Sequence, residues 1–170
     1  MAENIDRVVD GRRITLRPAT GEDEDFLRCV YATTREVEMA IVPWDEGQKS
    51  AFLDMQFRAQ HTFYHAEFPD ANYDVIEHDG VGVGRLYVDR RSSDIRILDI
   101  AILPDSRNGG VGTFLIREIM AEAAAANKTV SLHVETFNPA RRLYDRLGFL
   151  PIGDDGLYVL MEWKHNHDTS

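Results

Sequence analysis

The sequence contains a single cysteine, Cys29, in 170 residues, so no internal disulfide can form. No apolar run approaches the ~18 residues of a membrane-spanning helix, and residues 1–4 do not begin a secretory signal. Basic residues are also scarce, because 19 Lys and Arg stand against 29 Asp and Glu, for a net charge of -10. Phosphate backbones are bound by clustered Lys and Arg, so this balance argues against a nucleic-acid partner. We expect a cytoplasmic protein without a membrane partner.

Length and composition fit one domain. With 44% hydrophobic residues, a chain of 170 residues can bury a substantial core. Residues 1–11 and 165–170 are mostly polar, so we predict a flexible N-terminus and a disordered tail. A single domain is then expected over residues 12–164.

The most informative stretch joins a predicted strand to a predicted helix through a glycine-rich turn. Residues 97–103 form a near-continuous apolar run of strand length, closed by Pro104 and Asp105. Residues 107–113 contain three glycines, and the apolar positions after them recur with helical spacing. Backbone N–H groups at such a turn, and in the first turn of the helix, lack intrahelical acceptors. The stretch therefore predicts an anion-binding site.

The spacing of these glycines does not match the common nucleotide loops. A P-loop ends in Gly-Lys-Ser/Thr, but here Gly112 is followed by Thr113 and no lysine is nearby. A dinucleotide fingerprint needs a third glycine three residues after Gly112, where this chain has Leu115. Both nucleotide interpretations are therefore disfavoured.

Two motifs instead resemble those of the GNAT superfamily of N-acetyltransferases. The first is the acyl-CoA pyrophosphate loop of that family, Arg/Gln-x-x-Gly-x-Gly/Ala, which is matched by Arg107, Gly110 and Gly112. The second resembles the family's helix motif that carries Asn, Ala, Tyr and Gly-Phe. It is the run Asn138-Pro-Ala-Arg-Arg-Leu-Tyr144-Asp-Arg-Leu-Gly148-Phe149. The resemblance covers roughly residues 94–163.

The predicted elements follow in the order β-α-α-β-β-β-α-β-α-β-β, which implies a mixed α/β sheet with helices on both faces. The resemblance implies the same architecture, the acyl-CoA N-acyltransferase fold, with about seven strands and about four helices. It also implies acetyl-CoA as the cofactor, with its pyrophosphate bound by the glycine loop. Arg107 could instead pair with a protein carboxylate. The implied cofactor contacts in the loop are Arg107, Asn108, Gly109, Gly110, Val111, Gly112 and Thr113.

The rest of the cofactor is expected beside the end of the central strand. In the family, the pantetheine arm adds like an extra strand where a bulge and splayed neighbours leave backbone groups available. The corresponding main-chain atoms here are in residues 100–103, which include Ile102 and Leu103, and one N–H group would polarise the thioester carbonyl. Asn138 matches a residue that commonly bonds the pantetheine. It is equally suited to cap the helix before Pro139.

Three side chains are candidates for the chemistry. Tyr144 matches the family tyrosine near the sulfur, and a phenol of pKa ~10 can protonate a thiolate whose acid has pKa ~8.5; the alternative is a core aromatic. Asp99 lies in an apolar strand, where a carboxylate is costly unless partnered, so it serves either the structure or the amine. His133, with an ordinary pKa of ~6.5, is a second candidate base. Deprotonation through water is also open.

The acceptor side is the least defined by sequence. In GNAT relatives the first two helices and their connection border the acceptor site, which directs attention to residues 44–64. Gln56, Gln60 and Tyr64 are candidates for lining a pocket there. An apolar stripe on the same helix is predicted to pack into the core. The stripe consists of Phe52, Met55, Ala59 and Phe63.

A metal site was also considered for this helix. His61 and His65 stand at i and i+4, a spacing that can hold a metal on one helical face. No neighbouring glutamate or third ligand is evident in the sequence. We therefore predict no metal site.

The leading hypothesis is an acetyl-CoA-dependent N-acetyltransferase that acts on a small-molecule or peptide amine by direct attack in a ternary complex. A catalytically inactive, CoA-binding regulatory relative is the main alternative, and a nucleotide-binding module is the third. The presence of Tyr144 favours catalysis over the inactive alternative. Many members of the family are dimers, so the resemblance leaves a homodimer open.

Overall fold

The computed structural model describes residues 6–9 and 11–166. Among these residues, none of the helices is both long enough and apolar enough to span a membrane. The described chain forms eight strands and five α-helices. Their bounds are β1 Asp6–Val9, β2 Arg12–Pro18, α1 Glu24–Thr33, α2 Glu36–Ala40, α3 Glu46–Glu67, β3 Asn72–His78, β4 Val81–Arg90, β5 Asp94–Ile102, α4 Val111–Ala125, β6 Thr129–Glu135, α5 Arg141–Arg146, β7 Leu150–Asp154 and β8 Tyr158–Trp163.

The predicted mixed α/β sheet is confirmed, with one strand more than expected. Asp6–Val9, which we placed in a flexible N-terminus, forms β1 and pairs antiparallel with β2. Gly11 supplies the turn between them with φ +77, a conformation that glycine adopts at no steric cost. The other residues of the predicted flexible segment, 1–5 and 10, lie outside the described residues, as do 167–170 of the predicted tail.

The chain groups into two compact units, which are described separately. The first contains the described residues up to Tyr87 together with Ile100–Gly109, and its strands follow the order β1-β2-β3-β4-β5. The second contains Val88–Asp99 and the described residues from Gly110 onward, in the order β4-β5-β6-β8-β7. The chain therefore changes unit inside β4, inside β5 and within the glycine loop. The single domain expected over 12–164 stays a prediction.

The core of the first unit is made where α1 and α3 pack on β3. Its central side chains are Leu27, Tyr31, Phe57 and Val75, each less than 5% exposed. Helix α3 begins after Asp45, as predicted, because the Asp45 carboxylate accepts the main-chain N–H of Gln48 at 2.8 Å.

The apolar stripe predicted to bury α3 is wrong. Met55 is 59% exposed and Phe63 is 56% exposed, whereas Phe57, outside the stripe, is 2% exposed. Ala59 is exposed as well, and Phe52 is only half-buried, against the Trp44 ring. The helix instead turns inward the face that carries Phe57, which packs with Leu27 and Val75.

The core of the second unit is formed by α4 against the sheet, as the helical spacing predicts. The buried positions of α4 recur every three or four residues. In β6 the apolar residues Val130, Leu132 and Val134 are buried as the alternation predicts, but Ser131 between them is buried as well. Helix α4 ends as expected near Asn127, which has φ +55 and terminates the helical path. The buried side chains of α4 are Val111, Leu115, Ile116, Ile119 and Ala123.

Strand β5 contains one extra residue relative to β4. The N–H of Arg91 donates to the carbonyl of Asp94 at the turn, and the N–H of Leu103 donates to the carbonyl of Val83 at the far end. In a regular antiparallel ladder the two residue numbers of such a pair have a constant sum, but here the sum rises by one between these bonds. This is a β-bulge, the feature that the family resemblance led us to expect in the central strand.

The parallel ladder between β5 and β6 is short. Its last pair is Ile97 with Leu132, although β5 continues to Ile102 and β6 to Glu135. The two strands therefore diverge over their last residues, which is the second feature expected of a strand pair that admits a pantetheine arm.

We predict that Phe57→Ala destabilises the protein by about 3–5 kcal/mol, because it empties a buried aromatic position in the first unit. Phe63→Ala, on the same helix and of the same chemistry, should change the free energy of unfolding by less than about 1 kcal/mol. Urea denaturation followed by circular dichroism measures both. Equal losses would show that α3 buries the stripe after all.

Candidate active site

The glycine loop prepares the start of α4 for an anion. Gly110 lies immediately before the helix with φ +82, and Asn108 also has a positive φ, +65. The first helical hydrogen bond runs from the N–H of Phe114 to the carbonyl of Gly110, at 2.9 Å. The N–H groups of residues 111–113 therefore precede the helical ladder and are directed past the end of the helix.

The space next to this loop is open, which fits a bound diphosphate. A β-carbon added at Gly110 or Gly112 would have no neighbouring atom within 4 Å, and one at Gly109 would meet only the carbonyl of Ser106 at 3.7 Å. Glycine is thus not required there by packing within the protein. At Gly110 the backbone conformation requires it, and an approaching ligand would account for the other two.

Arg107 connects the loop to the end of β5. Its Nε donates to the main-chain carbonyl of Ile102 at 2.9 Å. This bond supports a role in holding the loop rather than the alternative pairing with a protein carboxylate. The same bond occupies the main-chain carbonyl of Ile102, a residue predicted to contact the cofactor.

Leu103, predicted to offer its main chain to the cofactor, is already bonded within the protein. Its N–H donates to the carbonyl of Val83 at 2.8 Å, and its carbonyl accepts the N–H of Ser106 at 2.9 Å. Both main-chain groups of Leu103 therefore already take part in hydrogen bonds within the protein. The sequence does not reveal these two bonds. Val83 is 20 residues away in the chain, and the bond from Ser106 depends on the conformation of the turn after β5.

Tyr144 and Asp99 are brought together in the second unit. The Tyr144 side chain is 7% exposed, and its ring lies 5.8 Å from that of Phe149. Burial, followed by the negative charge of Asp99, raises the pKa of Tyr144 to about 12. The phenol therefore stays protonated at neutral pH, within electrostatic range of a carboxylate.

Asn138 lies in the turn that leads into the short helix carrying Tyr144. Its Oδ1 accepts the N–H of Ala140 at 2.9 Å, while its own N–H donates to the carbonyl of Glu135 at 2.9 Å. The helix itself has Ala140 at its N-cap position and no side-chain cap, so Asn138 stabilises the preceding turn and the predicted cap at Asn138 is wrong. The bond to Ala140 leaves the side-chain amide nitrogen to serve as a donor.

His133 lies on the exposed part of β6. The guanidinium Nη1 of Arg96 is 3.2 Å from His133 Nδ1. Burial, followed by the positive charge of Arg96, lowers the pKa of His133 below its ordinary value, while the negative charge of Asp155 opposes the change. The imidazole is therefore neutral at pH 7.

The residues that the sequence analysis missed surround Arg85. This arginine of β4 is 1% exposed, its Nη2 donates to Gln60 Oε1 at 2.9 Å, and its guanidinium lies 4.9 Å from the centre of the Tyr87 ring. Gln56 likewise accepts from the Tyr31 hydroxyl at 3.0 Å. The two glutamines thus bond to buried side chains, and neither they nor Tyr64 are among the residues that line the cavity of this unit, so their predicted role in lining a pocket stays a prediction. The sequence signal that could have revealed this cluster was Arg85 itself, a single arginine inside an apolar strand.

A cavity of about 220 Å³ opens beside this cluster, between α1, α3, β3 and β4. Its wall includes a column of rings, in which His61 and His65 are 4.3 Å apart and His65 and Tyr73 are 4.0 Å apart. Within the described part of the chain, no three His, Cys, Asp or Glu side chains come together as metal ligands. The histidines therefore contribute aromatic surface to the wall.

Comparison with known proteins gives the fold and the family. The model of the Acetyltransferase (GNAT) family matches residues 31–149, more than half of the chain. A Bacillus subtilis (strain 168) protein, assigned by name as a ribosomal protein bS18-alanine N-acetyltransferase, is 36% identical over 115 residues, which are 60% of this chain and 75% of that protein.

Solved structures share the architecture at low identity. PaiA N-acetyltransferase from Thermoplasma acidophilum, in complex with coenzyme A, has a TM-score of 0.68 at 17% identity, with 89% of this chain and 99% of that chain covered. Arabidopsis thaliana Naa50, in complex with the bisubstrate analogue CoA-Ac-MVNAL, has a TM-score of 0.58 at 13% identity, with the same coverage of both chains. With the glycine loop, the bulged strand and the family match together, the chain belongs to the GNAT acetyltransferase family.

Proposed function

We propose that this protein transfers the acetyl group of acetyl-CoA to a primary amine of a small molecule or peptide, by direct attack while both substrates are bound. Coenzyme A is the cofactor of the family, and the open glycine loop before α4 fits its diphosphate. The observation that carries the proposal is the joint presence of this loop and of a buried, protonated Tyr144 within the electrostatic influence of Asp99.

Residues 107–113 would hold the cofactor, which supplies an activated acetyl thioester when bound. Attraction of an anion to a helix N-terminus contributes only ~0.3–1 kcal/mol, so most of the hold must come from several hydrogen bonds. The N–H groups of Val111, Gly112 and Thr113 are available for this in the first turn, and the Thr113 hydroxyl adds a donor. Asn138 would bond the pantetheine arm through its amide nitrogen.

Tyr144 is proposed to donate a hydrogen bond to the departing sulfur. A phenol of pKa about 12 is a weaker acid than a thiol of pKa ~8.5, so complete transfer of its proton would be uphill by roughly 5 kcal/mol. The hydrogen bond stabilises the developing thiolate without that cost. The proton that finally resides on the thiol then derives from the acceptor amine, whose nitrogen has formed the new amide bond.

Asp99 is proposed to receive that amine proton, directly or through water, because it is the carboxylate electrostatically coupled to Tyr144. A peptide amine is supported as acceptor by the Bacillus subtilis relative, whose name specifies an alanine of ribosomal protein bS18. The inactive CoA-binding alternative would leave Asp99 and Tyr144 without a chemical role. An amine panel incubated with acetyl-CoA, with free thiol as the readout, separates the two.

Gly110→Glu should abolish CoA binding, because it puts a carboxylate into the open space where the diphosphate is expected. Gly80→Glu is the matched control, since Gly80 has φ +80, no neighbour of an added β-carbon within 4 Å, and no part in the loop. Isothermal titration calorimetry measures both affinities. Normal affinity of Gly110→Glu would refute the loop assignment.

Tyr144→Phe should lower kcat by about 10²-fold or more while it leaves CoA affinity nearly unchanged, because only the donor to sulfur is removed. Tyr73→Phe serves as control, since the Tyr73 hydroxyl donates to the main-chain carbonyls of Tyr64 and Phe68. It should lower stability but not kcat. An unchanged rate of Tyr144→Phe would remove the phenol from the mechanism.

A further inference from the structure

A chain of hydrogen bonds fixes the position of Arg96 in the second unit. Asp94 accepts the hydroxyl of Ser131 at 2.6 Å and that of Thr129 at 2.9 Å. Ser131 is 2% exposed, and because its proton goes to Asp94, its oxygen is left to accept Nε–H of Arg96 at 2.7 Å. The guanidinium is thereby held in one orientation, with Nη1 directed at His133.

This orientation determines where the proton of His133 resides. A guanidinium is only a donor, so His133 Nδ1, 3.2 Å from Arg96 Nη1, must accept with its lone pair. A neutral imidazole carries a single N–H, which is then on Nε2. Nε2 can donate a hydrogen bond but has no lone pair with which to take a proton. The lone pair of Nδ1 is already engaged.

The charged groups that face His133 from the neighbouring elements keep the imidazole neutral. Arg96 on β5 and Arg91 in the β4–β5 turn disfavour an imidazolium, and Asp155 in the β7–β8 turn favours it. The Asp155 carboxylate accepts the N–H groups of Leu157 and Tyr158, which occupy it in part. The net effect is a lowered pKa of His133.

His133 stands where the strands diverge. The last β5–β6 pair is Ile97 with Leu132, so His133 is the first residue of β6 beyond the ladder, and Asp99 is the second residue of β5 beyond it. The residue is exposed. An oriented N–H donor is therefore offered to solvent at the end of the strands where the reaction is proposed.

We propose that His133 binds the acceptor as a hydrogen-bond donor and does not act as the base. Its Nε2–H would donate to a carbonyl oxygen of the acceptor, and Arg96 is the positioning residue that keeps the proton on Nε2. The acceptor class is then an amine with a carbonyl group close by, such as the first residue of a peptide, in preference to a simple alkylamine. This inference rests on the proposed function and narrows its substrate.

Nuclear magnetic resonance of the ¹⁵N-histidine-labelled full chain at pH 7.5 tests the tautomer without any substrate. We expect Nε2–H and an unprotonated Nδ1 for His133, and a loss of this preference in Arg96→Met. Arg90→Met is the control, since Arg90 pairs with Glu122 instead, and it should leave the His133 signals unchanged. An Nδ1–H tautomer or an imidazolium would overturn the inference.

Kinetics with a peptide that begins with alanine and with isopropylamine test the role. His133→Ala should raise KM for the peptide about two- to tenfold, the effect of one lost neutral hydrogen bond, with kcat and the KM for isopropylamine nearly unchanged. His133→Gln keeps an amide N–H near the position of Nε2 and should restore the peptide KM. If both variants lose kcat equally, His133 is the base. If the wild-type protein acetylates no amine at all, the proposed function fails, whatever the tautomer.

Discussion

The divergence of β5 and β6 after Ile97 and Leu132 is the constraint on which the site depends. Parallel strands are held together by main-chain hydrogen bonds, and where the ladder ends those polar groups must be satisfied in another way. The extra residue in β5 has a related effect, because a bulge interrupts regular pairing on the other side of the same strand. An extended ligand can add to the end of a strand where the regular ladder stops, which is where we propose the pantetheine arm lies.

The proposed chemistry divides its tasks according to the environment of each group. Main-chain amides at a helix start suit a diphosphate because they require no charge to be buried. A buried phenol next to a carboxylate retains its proton, which suits it to donate to sulfur rather than to accept from an amine. A histidine whose Nδ1 is engaged by a guanidinium is likewise restricted to donation. In the proposed mechanism, Asp99 receives the amine proton, directly or through water.

The first unit shows how a buried charge directs packing. Arg85 is almost completely buried, and a buried cation is costly unless it is hydrogen-bonded and partnered. Helix α3 therefore presents Gln60 to it, and the rings of Tyr31 and Tyr87 lie against its guanidinium. Met55 and Phe63 of the predicted apolar stripe lie on the solvent-facing part of the same helix. The same unit also depends on close backbone packing at Gly84, because a β-carbon added there would collide with the main-chain carbonyl of Ala101.

Local patterns in the sequence were sufficient for the elements and for the cofactor loop, because helix caps, strand alternation and glycine turns depend on residues close together in the chain. Asp45 as a cap, Gly110 before α4 and Tyr144 on a short helix were predictable for that reason. The inward face of α3, the engagement of Leu103 by Val83, the β1 strand and the tautomer of His133 were not. Apart from β1, which pairs with the next strand along the chain, each depends on a partner far away in sequence, and only the folded chain decides which polar groups meet.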